Sequence, residues 1–285
     1  MTLQLRSGKP EDAARCGAIC FSAFAAIAQA HAFPPDFPSP DVAVGLMADL
    51  FSREDVFSVV AEIDGDVIGS NFLWEGGPIV GIGPITIDPS VQDRKVGHAL
   101  MEHVLQRGRS RNAAGIRLVQ AAYHNRSLSL YARLGFEARE PLSVLQGSAV
   151  NAKVPGYPVR AAVPSDLDAC NRLCLQVHGH ERAGELRDAI DQGTASVAAH
   201  DGRIVAYATA IGFFGHAVAE NNTGMKALIG AAPAFAGPGF LLPTRNGELL
   251  RWCLERGLRI VQPMTLMSIG LYQQPEGSFL PSVLY

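Results

Sequence analysis

The residues best placed to do chemistry lie between Ile82 and Val104. An alternating apolar run (Ile82, Ile85, Ile87) closes at Pro89, and after a polar turn a helical pattern opens with Val96, Leu100 and Val104. A strand therefore feeds a helix through a loop that carries Gln92, Arg94 and Lys95, with Gly97 where the helix begins. There the first free backbone N–H groups and the positive end of the helix dipole face outward, which suits a phosphate or another anion. Strand–loop–helix with a glycine and two bases is common, so on spacing alone a solvated turn stands beside the anion site as a reading.

The segment Asp88-Pro89-x-x-Gln92-x-x-x-x-Gly97-x-Ala99-Leu100 resembles the acetyl-coenzyme A loop of the GNAT superfamily of N-acetyltransferases, Gln/Arg-x-x-Gly-x-Gly/Ala after a strand. Its second glycine is kept as Gly97, whereas Lys95 stands at the first and Asp93 where a glycine often follows the Gln. Lys95 still offers its N–H, so a pyrophosphate cradle survives, with a side chain to be steered aside. Downstream, Ser127-x-x-Leu130-Tyr131-x-x-Leu134-Gly135-Phe136 is similar to the family's Asn-x-x-Ala-x-x-Leu-Tyr-x-x-x-Gly-Phe. His124 fills the Asn position, with Asn125 beside it, and Ser127 fills the Ala position. A strand-like stretch from Ile116 to Gln120 separates the two motifs, and the resemblance covers residues 3–140.

This resemblance implies a mixed α/β sheet in which the coenzyme parts two strands. Backbone N–H groups of Ile85, Thr86 and Ile87 would meet the acetyl and pantetheine groups, and Gln92, Arg94, Lys95, Val96, Gly97, His98 and Ala99 would hold the pyrophosphate, with His124 and Asn125 alongside. It implies Tyr131 as general acid for the departing thiolate, since a phenol pKa near ~10 is close to that of a thiol; a tyrosine that merely packs is the other reading. For the base it points to Glu75, at the end of the third strand before Gly76-Gly77, with His124 or a chain of waters as alternatives. The activity implied is transfer of acetyl from acetyl-coenzyme A to a primary amine of a small molecule, without a metal. The rival reading is a non-catalytic, coenzyme A-responsive or structural two-domain protein.

At 285 residues the chain exceeds one ordinary domain. The net charge of −3 argues against a nucleic-acid binder, which needs a basic face. Arg107, Arg109 and Arg111 form the dense basic cluster, read as a solvated helix end or as a grip on a coenzyme phosphate. The five cysteines (Cys16, Cys20, Cys170, Cys174, Cys253) are odd in number and lie in helical patterns, which fits reduced core thiols better than disulfides or a metal site. No cationic stretch leads into an apolar signal core, so a cytoplasmic protein, monomer or homodimer, with neither membrane nor nucleic-acid partner, is expected.

Along the chain, a first strand (3–6) precedes a helix opened by Pro10-Glu11-Asp12, a rigid Pro34–Pro40 loop, a second helix and a hairpin turning at Asp64-Gly65-Asp66, before the apolar run 79–87. Composition softens after Leu145, which divides the chain into domains 1–146 and 155–285. The second begins like the first: Arg6-x-x-x-Pro10-x-Asp12-x-x-x-Cys16-x-x-x-Cys20 recurs with Arg160, Pro164, Asp166, Cys170 and Cys174, a constant offset of 154 as from Arg6 to Arg160. Asp64-Gly65 is echoed by Asp201-Gly202, and the six residues from Gly115 to Gln120 by those from Gly257 to Gln262. The repeat points to two tandem GNAT-like domains, the second degenerate: Pro243 to Leu250 stands where the coenzyme loop is expected, Glu248 sits at the helix start, and Pro275 and Gly277 break the last helix.

Overall fold

The computed structural model describes residues 2–91 and 95–284. The first half runs β1 (Leu3–Ser7), α1 (Ala13–Ala30), α2 (Pro40–Ser52), β2 (Val56–Ile63), β3 (Asp66–Trp74), β4 (Ile79–Ile82), β5 (Thr86–Ile87), α3 (Val96–Ser110), β6 (Gly115–Ala121), α4 (Asn125–Arg133) and β7 (Glu137–Gln146). A coil spans residues 147–158. The second half continues β8 (Val159–Ala161), α5 (Leu167–His178), α6 (Ala183–Asp191), β9 (Ser196–His200), β10 (Arg203–Ala208), β11 (Ala217–Ala219), α7 (Asn222–Ala231), β12 (Phe240–Pro243), α8 (Gly247–Glu255), β13 (Arg259–Gly270) and β14 (Ser278–Leu280). The apolar run expected to be one strand over 79–87 is thus two, broken between Ile82 and Thr86.

The repeated Arg-x-x-x-Pro-x-Asp has a physical cause. Arg6 grips Asp12 through two hydrogen bonds (2.7 and 2.8 Å), and the same carboxylate accepts from the backbone N–H of Lys9 at 2.8 Å. Arg160, Asp166 and Val163 do the same at 2.6, 2.8 and 2.9 Å. Each copy therefore ties its first strand to the start of its first helix with a bidentate, charge-assisted pair. The cysteines further along those helices are buried free thiols, as expected of core residues.

Among the described residues the strands form a nine-stranded sheet, in the order β1-β2-β3-β4-β6-β13-β7-β12 with β5 also on β3, and a five-stranded one, β14-β11-β10-β9-β8. Strand pairing crosses the expected division at residues 146 and 155. Strand β13 of the second half lies between β6 and β7 of the first, and β7 lies between β13 and β12 of the second. The exchange is reciprocal. Register pairs Pro263 with Ser143, Met264 with Leu142 and Thr265 with Pro141, so a pseudo-twofold axis passes through Leu142 and Met264. The flanking pairings obey the same axis: Met264 opposite Ala121 on one side matches Leu142 opposite Pro243 on the other. Leu142, Val144, Leu241, Met264 and Leu266 form one apolar cluster across this seam.

That symmetry corrects the second half's internal alignment. From β6 to β7 the copies are offset by 122, as from Gly135 to Gly257, so the stretch from Gly257 to Gln262 matches the segment after Gly135 and not the one after Gly115. Gly135 (φ +95°) and Gly257 (φ +81°) both sit just past a helix, where the left-handed backbone favours glycine. Pro243 to Leu250 is therefore the counterpart of the start of α4. The counterpart of the loop between β5 and α3 is the turn from β11 to α7.

In the first half α1 and α2 cover one sheet face, burying Cys16, Cys20, Met47 and Leu50 against Val60 and Phe72. Helices α3 and α4 cover the other, burying Leu100, Met101, Val104 and Tyr131 against Leu73, Ile82 and Leu118.

Candidate active site

The site is built by a parting of strands. β4 pairs with β6 in parallel only over Ile79–Gly81 opposite Gly115–Arg117. Past Gly83 the chain turns back to β3, where Thr86 lies opposite Ser70 and Ile87 opposite Gly69. The break is pinned by Trp74, whose indole N–H donates to the Gly83 carbonyl at 3.1 Å, and by Gly83 N–H, which donates to Phe72 O at 3.0 Å. From Leu118 onward, the β6 edge facing β5 has no strand partner among the described residues, which leaves a wedge between Ile85–Ile87 and Leu118–Ala121. Gln120 lies in that wedge wall and is 5 % exposed. Its Oε1 accepts from Ser127 at 3.0 Å while its Nε2 has no acceptor, and the Thr86 hydroxyl is likewise buried without a partner. Orphaned polar atoms beside an open sheet edge fit an amide-bearing chain such as pantetheine.

At the wedge mouth stands the N-terminus of α3. Lys95 caps it with φ +61°, the left-handed conformation that glycine adopts without steric cost, at the position where the family motif has glycine. Gly97 is set tightly: a Cβ there would lie 3.0 Å from Ile87 Cδ1 and 3.5 Å from Leu130 Cδ2, so this helical turn rests on β5 and α4. Gln92 and Arg94 lie outside the described residues. Asp88, just after β5, is held by Ser90 and Arg15, and these hydrogen bonds keep its carboxyl below the usual range. His98 is exposed and faces Glu102 at 3.3 Å. His124 caps α4, burial lowering its pKa, and Asn125 opens that helix.

Tyr131 points from α4 into the α3 side of the sheet, edge-on to Phe136 with ring centroids 6.1 Å apart. Burial drives its phenol pKa well up, so at neutral pH the group carries its proton. Glu75 is not available as a base. Its carboxylate takes Arg107 Nε at 2.7 Å and Nη2 at 3.0 Å, with Arg111 at 3.4 Å. Arg107 stands eleven residues along α3 from Val96, about 16 Å at 1.5 Å per residue, so this ion pair fastens the far end of the helix. The same pair removes Arg107 and Arg111 from any grip on a coenzyme phosphate at the loop.

On the opposite face the α1–α2 connection reaches the top of β6. Phe33 stacks on Tyr123 (4.1 Å between centroids), and His31 tilts against the same ring at 5.3 Å. The Tyr123 hydroxyl donates to Gln262 Oε1 at 3.2 Å, and Gln262 Nε2 donates to Asp36 at 3.1 Å. Burial pushes the Tyr123 pKa up to about 12 and raises that of Asp36. A cleft of about 410 Å³ also opens on the α2 face, between Asp49 and Trp74 on one side and Asp188 and Phe214 of the second half on the other. Residue patterns alone did not single out Asp36, Tyr123, Gln120 or Gln262. The readable signals were a carboxylate inside a proline-rich loop and polar residues at strand positions otherwise filled by apolar ones.

In the second copy the equivalent parts are closed. The Asn221 side chain accepts from Thr223 and Gly224 N–H at 2.9 and 3.1 Å, satisfying the first donors of α7. Asn222 and Asn246 exchange hydrogen bonds of 3.1 and 2.8 Å, and Lys226 pairs with Glu248 at 2.5 Å, tying α7 to α8 across what would be the mouth. Pro275 and Gly277 lead not into a broken helix but into β14, which pairs with β11 and packs on β12, occupying the gap that stays open in the first copy. Cys253 stands at the position of Tyr131.

Residues 24–136 match the family model described as Acetyltransferase (GNAT) family. No curated protein matches the sequence. A solved Pyrococcus horikoshii protein described as a candidate acetyltransferase superposes with a TM-score of 0.74 at 16% identity, over 97% of this chain and 94% of its own. A GCN5-related N-acetyltransferase from Sphaerobacter thermophilus gives 0.60 at 15% identity (95% and 98%), and a tandem GNAT protein of the clavulanic acid biosynthesis pathway 0.56 at 13% (94% and 98%). Residues 24–136 are thus similar to the GNAT family of acetyltransferases, and over nearly its whole length the chain has the fold of the solved tandem GNAT proteins.

Proposed function

We propose that this protein moves an acetyl group from acetyl-coenzyme A to a primary amine of a small molecule. The observation that carries the reading is the wedge between β5 and β6 with the α3 N-terminus at its mouth, open in the first copy and filled in the second. Backbone groups of Ile85, Thr86 and Ile87 and the orphaned Gln120 amide would meet the pantetheine and acetyl groups. Lys95 to His98, at the start of α3, would meet the pyrophosphate through free N–H groups, while the Ala99 N–H closes the first turn on Lys95 O at 3.0 Å. The neutral amine attacks the thioester carbonyl, a C–N bond forms and the C–S bond breaks; the thiolate takes the phenol proton of Tyr131, the acylated nitrogen gives its surplus proton to water, and the phenolate regains a proton from solvent.

The test is thiol release from acetyl-coenzyme A in the presence of putrescine, spermidine, glucosamine, kanamycin and the amino acids, with the acetylated product identified by mass. Tyr131→Phe keeps the ring against Phe136 and removes only the proton donor. With the fastest amine its kcat is expected to fall about 10²-fold, at the lower end for general acid catalysis. Wild-type turnover in that variant would make Tyr131 a packing residue.

Coenzyme stoichiometry offers a second check. With the α7 N-terminus capped by Asn221 and the gap filled by β14, calorimetric titration is expected to give one acetyl-coenzyme A per chain. Two equivalent sites would contradict the closure.

A further inference from the structure

The inward-facing carboxylates of this protein come with arginines. Asp12 has Arg6, Glu75 has Arg107, Asp166 has Arg160, Glu140 has Arg245 and Glu185 has Arg182. Asp36 does not. Among the described residues it makes no ion pair, and one oxygen accepts from Gln262 while the other accepts from nothing. A carboxylate drawn out of water without a cation is costly, and such a group is retained where something else supplies the charge.

Its surroundings say what that something is. The α1–α2 connection bridges the two lips of the wedge. On one side α1 packs on β5, with Arg15 reaching Asp88, and on the other Phe33 and His31 lie on Tyr123 at the end of β6. Asp36 belongs to that connection, so it stands on the face of the wedge opposite α3 and the coenzyme loop. The groups near it are Cys20 from α1, Tyr123 from the β6–α4 turn and Gln262 from β13, and His31 from the end of α1 lies against the Tyr123 ring. Aromatic rings beside a half-buried carboxylate make a place for an ammonium group.

The pseudo-twofold axis gives an internal comparison. At the offset of 122, Tyr123 corresponds to Arg245 and Gln262 to Glu140. In the second copy these positions form a closed ion pair, with Arg245 Nε 2.9 and 2.7 Å from the Glu140 oxygens. In the first copy the pair is neutral, Tyr123 to Gln262, and Gln262 spends its amide N–H on Asp36, leaving the carboxylate unneutralised.

We propose that Asp36 anchors an ammonium group of the acceptor other than the amine that is acetylated, and that the second copy sets this anchor through Gln262, which makes the acceptor an amine carrying a second cationic group. The reaction itself rests on the acetyltransferase reading; the anchor rests on the surroundings of Asp36. Gln262 is a positioning residue, its amide fixed in one orientation by accepting from Tyr123 and donating to Asp36.

The experiment measures, on the full chain, the affinity of the panel amines for the protein loaded with coenzyme A, and their KM and kcat with acetyl-coenzyme A, in wild type, Asp36→Asn and Gln262→Met. Asp36→Asn is nearly isosteric, and removing one partner of a buried charge pair is expected to weaken amine binding and raise KM about 30-fold or more, with acetyl-coenzyme A affinity within twofold of wild type. Gln262→Met, which keeps Asp36 and its charge, is expected to weaken the amine about tenfold. Amine KM and affinity unchanged in Asp36→Asn, or lost in step with coenzyme affinity, overturn the anchor. Amine binding that depends on Asp36 without any acetyl transfer keeps the anchor and sinks the reaction. Neither binding nor transfer for any amine sinks both.

Discussion

Acetyl-coenzyme A produces no measurable heat of binding with the Gly97→Glu variant, while the circular dichroism spectrum stays that of wild type: this is the result expected if α3 holds the pyrophosphate. A Cβ at Gly97 would stand 3.0 Å from Ile87 Cδ1, the far end of a flexible side chain, so a small substituent is accommodated by a slight shift. Gly97→Ala is therefore expected to bind within a few-fold of wild type. Glutamate adds a charge to the Cβ. Its carboxylate enters the first turn of α3, takes the free N–H groups and the positive dipole end for itself, and faces the pyrophosphate with like charge. Like-charge juxtaposition costs several kcal/mol, and at about 1.4 kcal/mol per tenfold the loss is on the order of 10³-fold or more. Unchanged affinity in Gly97→Glu would return this loop to a solvated turn.

The second large effect concerns stability. Because β13 completes the first sheet and β7 the second half's strand pairing, neither half can lose its fold without stripping the other of a central strand. The chain's two tryptophans report on this, Trp74 at the end of β3 and Trp252 in α8. In denaturant titrations of Trp74→Phe and Trp252→Phe, each variant's remaining indole follows one half, and the two transitions are expected to coincide. Leu142, 1 % exposed and on the pseudo-twofold axis, is the place to break both. Leu142→Asp buries a charge with no partner in the seam cluster, a loss in the range of about 4–5 kcal/mol or more that leaves the chain unfolded or nearly so at 25 °C. Well-separated transitions, or a Leu142→Asp protein in which one tryptophan still reports a folded half, would show that the exchanged strands do not couple the halves.

Several features were legible before any coordinates. The Arg6–Asp12 and Arg160–Asp166 pairs show as a repeat because each is made within seven residues, so the spacing itself carries the contact. The strand–loop–helix from Ile85 to Leu100 is likewise local, and so are the left-handed turns at Asp64-Gly65 and Asp201-Gly202. Glu75 illustrates the converse. Its place at the end of β3 was visible, but its partner is 32 residues away on α3, and that partner turns a candidate base into a fastener. The stretch after Gly257 looks like the one after Gly115 because both are β-strand sequence opened by a glycine. Only the helix that precedes Gly257, and its left-handed φ, tell a helix exit from a strand start.

By itself the sequence determined most elements of the first copy, its likeness to the GNAT family, the strand–loop–helix before Leu100 and the repeated Arg-x-x-x-Pro-x-Asp, since all of these are written in periodicity and short spacings that neighbouring residues settle among themselves. The tertiary structure alone decided which strands share an edge. A period-two apolar pattern places one face of β13 in the core whether it lies beside β6 and β7 or beside β12, and the choice is made by residues more than a hundred positions apart. That choice produces the features that concern function: Gln262 reaches Asp36, β14 fills the second wedge, and the first wedge stays open.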